Sequence, residues 1–130
     1  IMHDDSFRVI EDVDTDTAGY RIPKLILQPL VENAIDHGLD VVEREEKNLW
    51  LTVSQDEEYL RFEVRDNGAG MEQEKADELL TYHSKGYGLH NVYDRIRVLY
   101  GEEGSMKIVS SVKEGTCVQI TMPKRTEENR

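Results

Sequence analysis

Three short runs carry polar side chains and glycines at positions where packing alone does not require them. The first is Leu30-Val31-Glu32-Asn33-Ala34-Ile35-Asp36-His37-Gly38. Asn33 and His37 are four residues apart, so on a helix they share one face beside an apolar stripe. An amide oxygen there suits a hard cation such as Mg²⁺, which takes oxygen ligands and keeps waters and phosphates around it. The same residues also read as a buried Asn bonded to a neighbouring turn, with His37 and Gly38 as helix C-cap chemistry. The second run, Val64-Arg65-Asp66-Asn67-Gly68-Ala69-Gly70-Met71, ends an alternating strand with a carboxylate and two glycines. Glycines permit positive φ and close approach of a ligand to the backbone. A strand-end Asp beside a pocket can accept a hydrogen bond from an exocyclic amine, although Asp-Asn-Gly is also an ordinary turn. In the third, Lys85-Gly86-Tyr87-Gly88-Leu89-His90-Asn91, two glycines lead into a helix. Free N–H groups and the positive end of the helix dipole then face an anion, and Lys85 adds a mobile charge. The spacing is neither a Walker loop nor a dinucleotide-binding fingerprint.

The elements that must position these runs are legible in the hydrophobic pattern. Alternation predicts strands at Leu49, Leu51, Val53, at Leu60, Phe62, Val64 with Arg61, Glu63 and Arg65 facing the other way, at Met106, Ile108, and at Val118, Ile120, Met122. A further strand is predicted over residues 7–13. One polar face per strand means a mostly antiparallel sheet covered on one side. Pro23 is placed to open a helix whose stripe is Ile26, Leu30, Ala34 and Ile35, ending at Gly38 and kinked by Pro29. Leu89, Val92, Ile96 and Leu99 predict a second helix stopped by Gly101, and residues 72–80 a shorter third. About three helices on one face of such a sheet make a two-layer α+β sandwich. The 130 residues suit one domain, with a core over about residues 7–123 and charged ends.

Composition narrows the partners. Sixteen basic against 27 acidic residues leave a formal charge of −11, which repels a nucleic-acid backbone, so no nucleic-acid partner is expected. A bound polyphosphate must be held locally, by backbone N–H groups and a divalent cation. The single cysteine, Cys117, lies in an apolar run and reads as a buried thiol in a reducing compartment, hence a cytoplasmic, soluble piece. No run approaches the roughly 20 apolar residues that cross a bilayer. A start at Ile1 suggests excision from a longer parent, whose membrane attachment stays open.

In combination the runs say more than singly. Glu-Asn-Ala-Ile-x-His-Gly, then Asp-x-Gly-x-Gly, then Gly-x-Gly-Leu, and Glu114-Gly115-Thr116 before a last strand resemble the GHKL nucleotide-binding superfamily of gyrase, Hsp90, MutL and histidine kinases. Leu27-Gln28-Pro29-Leu30-Val31-Glu32-Asn33-Ala34-Ile35 and Gly88-Leu89-His90-Asn91-Val92-Tyr93-Asp94-Arg95-Ile96 look like the LytS/YesM-type sensor histidine kinases. The resemblance runs over residues 7–123 and implies a Bergerat-type sandwich that binds ATP with Mg²⁺. By the same resemblance Asn33 is the Mg²⁺ ligand, and Asp66 receives the adenine amino group in a network that includes Thr116. Gly68 and Gly70 open the adenine pocket. Residues 71–85 form a lid over the phosphates, with Gly86, Gly88 and the Leu89 amide beside them. His37 stands where relatives set a side chain against the nucleotide, with helix capping as its other reading. Lys85 stands as a phosphate contact or a solvated lid charge.

One departure is informative. Hydrolytic relatives and the anti-sigma-factor serine kinases carry a Glu base one helical turn before the Mg²⁺ Asn, and here that position is Pro29. Pro cannot activate water or a serine hydroxyl. Glu32 points about 100° around the helix from Asn33 and does not inherit that role, but it can contact Mg²⁺ waters or an incoming histidine. The expected activity is therefore transfer of the γ-phosphoryl group to a histidine on separate dimerisation and phosphoacceptor helices, with a response regulator downstream. None of His3, His37, His83 and His90 sits on an amphipathic helix of acceptor type. The alternatives are an anti-sigma-factor-type serine kinase and a non-catalytic nucleotide-sensing interaction module. The dimer contacts of such kinases lie in those helices, so the chain is expected to be a monomer.

Overall fold

The computed structural model describes residues 8–13, 24–39, 46–81 and 89–124. Five strands form one sheet: β1 (Arg8–Val13), β2 (Asn48–Gln55), β3 (Tyr59–Asp66), β4 (Ser105–Ser111) and β5 (Gly115–Pro123). Their spatial order is β1-β2-β3-β5-β4, with β1 parallel to β2 and every other pair antiparallel. The α-helices among the described residues are α1 (Lys24–Asn33), α2 (Gln73–Thr81) and α3 (Leu89–Tyr100). This is the α+β sandwich that the alternation predicts.

Period-2 burial separates the faces of the sheet as expected from pleating. Leu60, Phe62 and Val64 of β3 join Leu49 and Val53, Met106 and Ile108, and Val118, Ile120 and Met122 under the helices. Leu30 and Ala34 from the first helix, Ala76 and Leu79 from α2, and Leu89, Val92 and Ile96 from α3 close the core from above. Leu99, the last member of the predicted α3 stripe, is 46% exposed, whereas Tyr100 beside it packs against the core. Gly101 takes φ +60° directly after Tyr100, the left-handed residue that stops α3.

The outer face differs from expectation at Cys117. It lies opposite Arg65 and Val109 on the outward side of β5, half-buried rather than within the core, because inward positions there are the even-numbered residues. Its Sγ donates to Glu63 Oε1 at 3.3 Å. Beside it, the Arg65 guanidinium lies 4.2 Å from the centre of the Trp50 ring.

The first helix also departs from a plain α-helix. It is α-wound through Asn33 and π-wound from Ala34 to Leu39, so Gly38 is a residue of the wide turn and not its C-cap. Among the described residues the positive-φ glycines are Gly70, Gly101 and Gly115, and Gly38 is not one of them. The predicted helix opener, Pro23, lies outside the described residues.

Candidate functional site

Asp66 ends β3 on its core-facing side and is 4% exposed. Three neighbours reach it only because they lack side chains. A Cβ on Gly38 would stand 2.6 Å from Asp66 Oδ1, and one on Gly115 would stand 2.0 Å from the Asp66 carbonyl. A Cβ on Gly68 would strike the Gly38 carbonyl at 2.2 Å. The wide π turn, the Asp66 loop and the start of β5 are thus fitted closely around Asp66, the π turn against its carboxylate and β5 against its carbonyl. Hydrogen bonds hold the fit: Ala69 N–H donates to the Gly38 carbonyl at 3.1 Å, and Lys113 N–H to the Ala69 carbonyl at 2.7 Å. Gly70 takes φ +67° with its Cα against the Ser111 carbonyl, so its glycine is demanded by the β4–β5 turn. Asn67 anchors the same loop to the start of β2: its Oδ1 accepts from Asn48 N–H at 2.8 Å and its Nδ2 donates to the Glu46 carbonyl at 3.0 Å.

Electrostatics follow from this burial. Desolvation raises the Asp66 carboxyl from its ordinary value to about 6, against the pull of the Gly68 and Thr116 backbone N–H groups, which favour the charged form. The Gly68 N–H donates to Asp66 Oδ1 at 2.8 Å. A carboxylate that accepts from two amides and still titrates near neutrality has unused acceptor capacity in a poorly solvated place.

Asn33 ends the α-wound part of the first helix and is 6% exposed. Its Oδ1 is buried and has no hydrogen-bond partner among the described residues. Such an orphan costs about 1–3 kcal/mol unless something binds it. A free amide oxygen fits a hard cation. Among the described residues no three His, Cys, Asp or Glu side chains converge on a metal, so a cation at Asn33 would take most of its ligands from water and phosphate.

Among the described residues the buried polar side chains are Asn33, Asp66, Ser110 and Thr116. Thr116 is the direct partner of Asp66 across β3 and β5, and Ser110 pairs with Thr116 across β4 and β5. Ser110 Oγ lies 2.8 Å from Thr116 Oγ1. The other sequence-predicted residues fall as follows. Glu32 is exposed and accepts from Gln28 Nε2 at 3.3 Å, around the helix from buried Asn33. His37 is half-buried in the π turn, and Leu89 is fully buried as the first residue of α3. Lys85, Gly86 and Gly88 lie outside the described residues. Within the predicted lid, α2 is a core element with Ala76 and Leu79 buried, and residues 82–85 lie outside the described residues. Sequence reasoning missed Ser110 and the site roles of Gly38 and Gly115. A signal for Ser110 existed: the inward series Met106, Ile108 of β4 continues to a serine, opposite the threonine that begins the inward series of β5.

Residues 20–126 match the family described as histidine kinase-, DNA gyrase B-, and HSP90-like ATPase. The sensor protein LytS of Bacillus anthracis is 36% identical over 116 residues, covering 82% of this chain and 19% of LytS. The sensor histidine kinase YesM of Bacillus subtilis is 34% identical over 116 residues, covering 89% of this chain and 19% of YesM. The chain thus spans about a fifth of the length of these curated relatives. The histidine kinase domain of the Erythrobacter litoralis EL346 blue-light activated kinase shares the fold, with a TM-score of 0.65 at 24% identity over 90% of this chain and 51% of that one.

Proposed function

The chain belongs to the histidine kinase-, DNA gyrase B- and HSP90-like ATPase family, and from that premise we propose that it binds Mg·ATP and presents the γ-phosphoryl group to a histidine on the dimerisation and phosphoacceptor helices of a parent sensor kinase. The observation that carries the reading is Asp66: a buried carboxylate with spare acceptor capacity, packed against Gly38 and accepting from the Gly68 N–H. Packing alone would place an apolar side chain there, since an ionised carboxylate without a ligand is costly to bury.

In this reading Asp66 accepts the exocyclic amine of adenine, with Thr116 beside it. Asn33 Oδ1 holds the cation, whose chemistry when bound is to neutralise charge on the phosphates. Gly86, Gly88 and the amide of Leu89 face the polyphosphate with Lys85, and His37 lines the nucleotide's edge. The turn of helix before Asn33 carries Pro29 in place of a general base. A neutral histidine imidazole is already nucleophilic near neutral pH, so positioning and electrostatics suffice for transfer to it. Glu32, on the exposed face, is placed to orient the incoming imidazole. The response regulator enters only after that transfer.

Calorimetric titration with a non-hydrolysable ATP analogue, with and without Mg²⁺, tests the reading. Saturable binding that prefers adenine, is strengthened by Mg²⁺ and disappears in Asp66→Ala is expected. In Asn33→Ala the Mg²⁺ enhancement should vanish while Mg²⁺-free binding persists. Failure of the folded wild-type chain to bind any purine nucleotide would overturn it.

A further inference from the structure

Ser110 lies outside the set of residues that the proposed function uses, yet its hydroxyl sits where three contacts meet. Met71 N–H donates to Ser110 Oγ at 2.9 Å. Ser110 Oγ lies 3.0 Å from the Gly115 carbonyl and 2.8 Å from Thr116 Oγ1. A serine hydroxyl has one proton and two acceptor lone pairs. The Gly115 carbonyl can only accept, so that contact requires the Ser110 proton. The Thr116 contact must then run the other way, with the Thr116 hydroxyl donating to Ser110 Oγ. This arrangement fills the donor and both acceptor positions of Ser110. The reverse arrangement would leave two oxygen lone pairs opposed at the Gly115 carbonyl. Gly115 begins β5 in register with Ser111, which holds its peptide in the sheet.

We propose that Ser110 is a specificity-determining positioning residue: by accepting the Thr116 proton it turns Thr116 into an acceptor toward the site, so that Asp66 and Thr116 together form an acceptor-only edge. The proposal rests on the reading of Asp66 as the purine-binding carboxylate. Thr116 faces the same side of the sheet as Asp66, directly opposite it in register, and both are buried. With its one proton committed to Ser110, Thr116 has lone pairs alone to offer a ligand. Two adjacent acceptors take both protons of a 6-amino group, whereas a 6-oxopurine can give its N1 proton to one of them but sets its oxygen against the lone pairs of the other. The arrangement is braced from outside the site. Gln73, at the start of α2, accepts from Ser110 N–H through Oε1 at 2.9 Å and donates from Nε2 to the Ile108 carbonyl at 2.7 Å. Its amide thus pairs with β4 as a neighbouring strand would, and keeps Ser110 in place.

The test measures dissociation constants of the 130-residue chain for ATP and for inosine triphosphate, which differs in carrying a 6-oxo group and a protonated N1. In Ser110→Ala the Thr116 proton loses its acceptor and becomes available to the 6-oxo oxygen. The preference for ATP should fall roughly tenfold, the value of one neutral hydrogen bond changing sign of use. Ser110→Thr, which keeps the hydroxyl, should retain the wild-type preference. Thermal unfolding of each variant shows whether it is folded, and if Ser110→Ala is not, Thr116→Val decides. Loss of an acceptor there should weaken ATP more than inosine triphosphate. Equal weakening of both nucleotides in folded Ser110→Ala, or in Thr116→Val, or an unchanged preference, would overturn the proposal. Absence of binding of either nucleotide to the wild type would instead remove the purine-site reading on which it stands.

Discussion

Asp66 sets fold stability and ligand binding against each other. Its carboxyl is raised from 3.8 to about 6, so the folded state holds its proton more tightly than the unfolded chain does. The stabilisation this represents is complete below the unfolded value and is lost as pH rises through the folded one. Above that window the buried charge costs about 3 kcal/mol, two units at 1.36 kcal/mol each. Asp66→Asn should therefore be more stable than wild type in urea at pH 7.5, with an advantage that shrinks toward pH 4, while losing adenine nucleotide binding. Because the ionised form accepts the amine, wild-type affinity should weaken about tenfold per pH unit below the free-protein value near 6. A calorimetric pH series would reveal this.

At the same scale, burial raises Cys117 to about 12, aided by its hydrogen bond to Glu63 and by that group's negative charge. The thiolate is the reactive form. Native Cys117 should react with iodoacetamide at pH 7.5 far more slowly than in urea, and Glu63→Gln should speed the native reaction. Mass spectrometry of the alkylated chain measures both.

At the scale of elements, the glycines differ in what they hold together. Gly68→Ala sets a methyl against the Gly38 carbonyl, backbone on backbone, and should cost more than about 3 kcal/mol and abolish nucleotide binding. Gly101→Ala meets nothing within 4 Å and is strained only by φ +60°, so about 1 kcal/mol is expected in the same urea titration. The clamp of α2 onto β4 is local too. Gln73→Ala should expose the edge strand and speed hydrogen exchange of the Ser110 amide, whose acceptor is Gln73 Oε1.

The π turn explains why the helix carrying Asn33 and the loop carrying Asp66 could not be joined from the sequence. An i→i+5 winding makes the turn one residue longer than an α-helix, and periodicity at 3.6 does not signal it. Glycine at position 38 reads locally as a C-cap, whereas its structural reason lies at Asp66, 28 residues away along the chain.

For the whole molecule, the charge of −11 opposes free ATP at long range. Without Mg²⁺, affinity should rise with added salt as that repulsion is screened, and with Mg²⁺ the dependence should flatten. Titrations at two ionic strengths check this. Among the described residues no helix is long and apolar enough to cross a membrane.

What the amino-acid sequence determines by itself follows from the range of the force concerned. Every described strand, α2 and α3, and the two-layer architecture are legible in alternation and stripe, because burial of one face is a property of consecutive residues. Asn33, Asp66 and Thr116 are legible through motif order, as a resemblance. Which face Cys117 takes, how Gly38, Gly68 and Gly115 close around Asp66, and which hydroxyl Ser110 holds are decided by register between strands and by contact between distant segments. At the glycines a side chain's absence is the signal, and only the folded chain shows what each glycine makes room for.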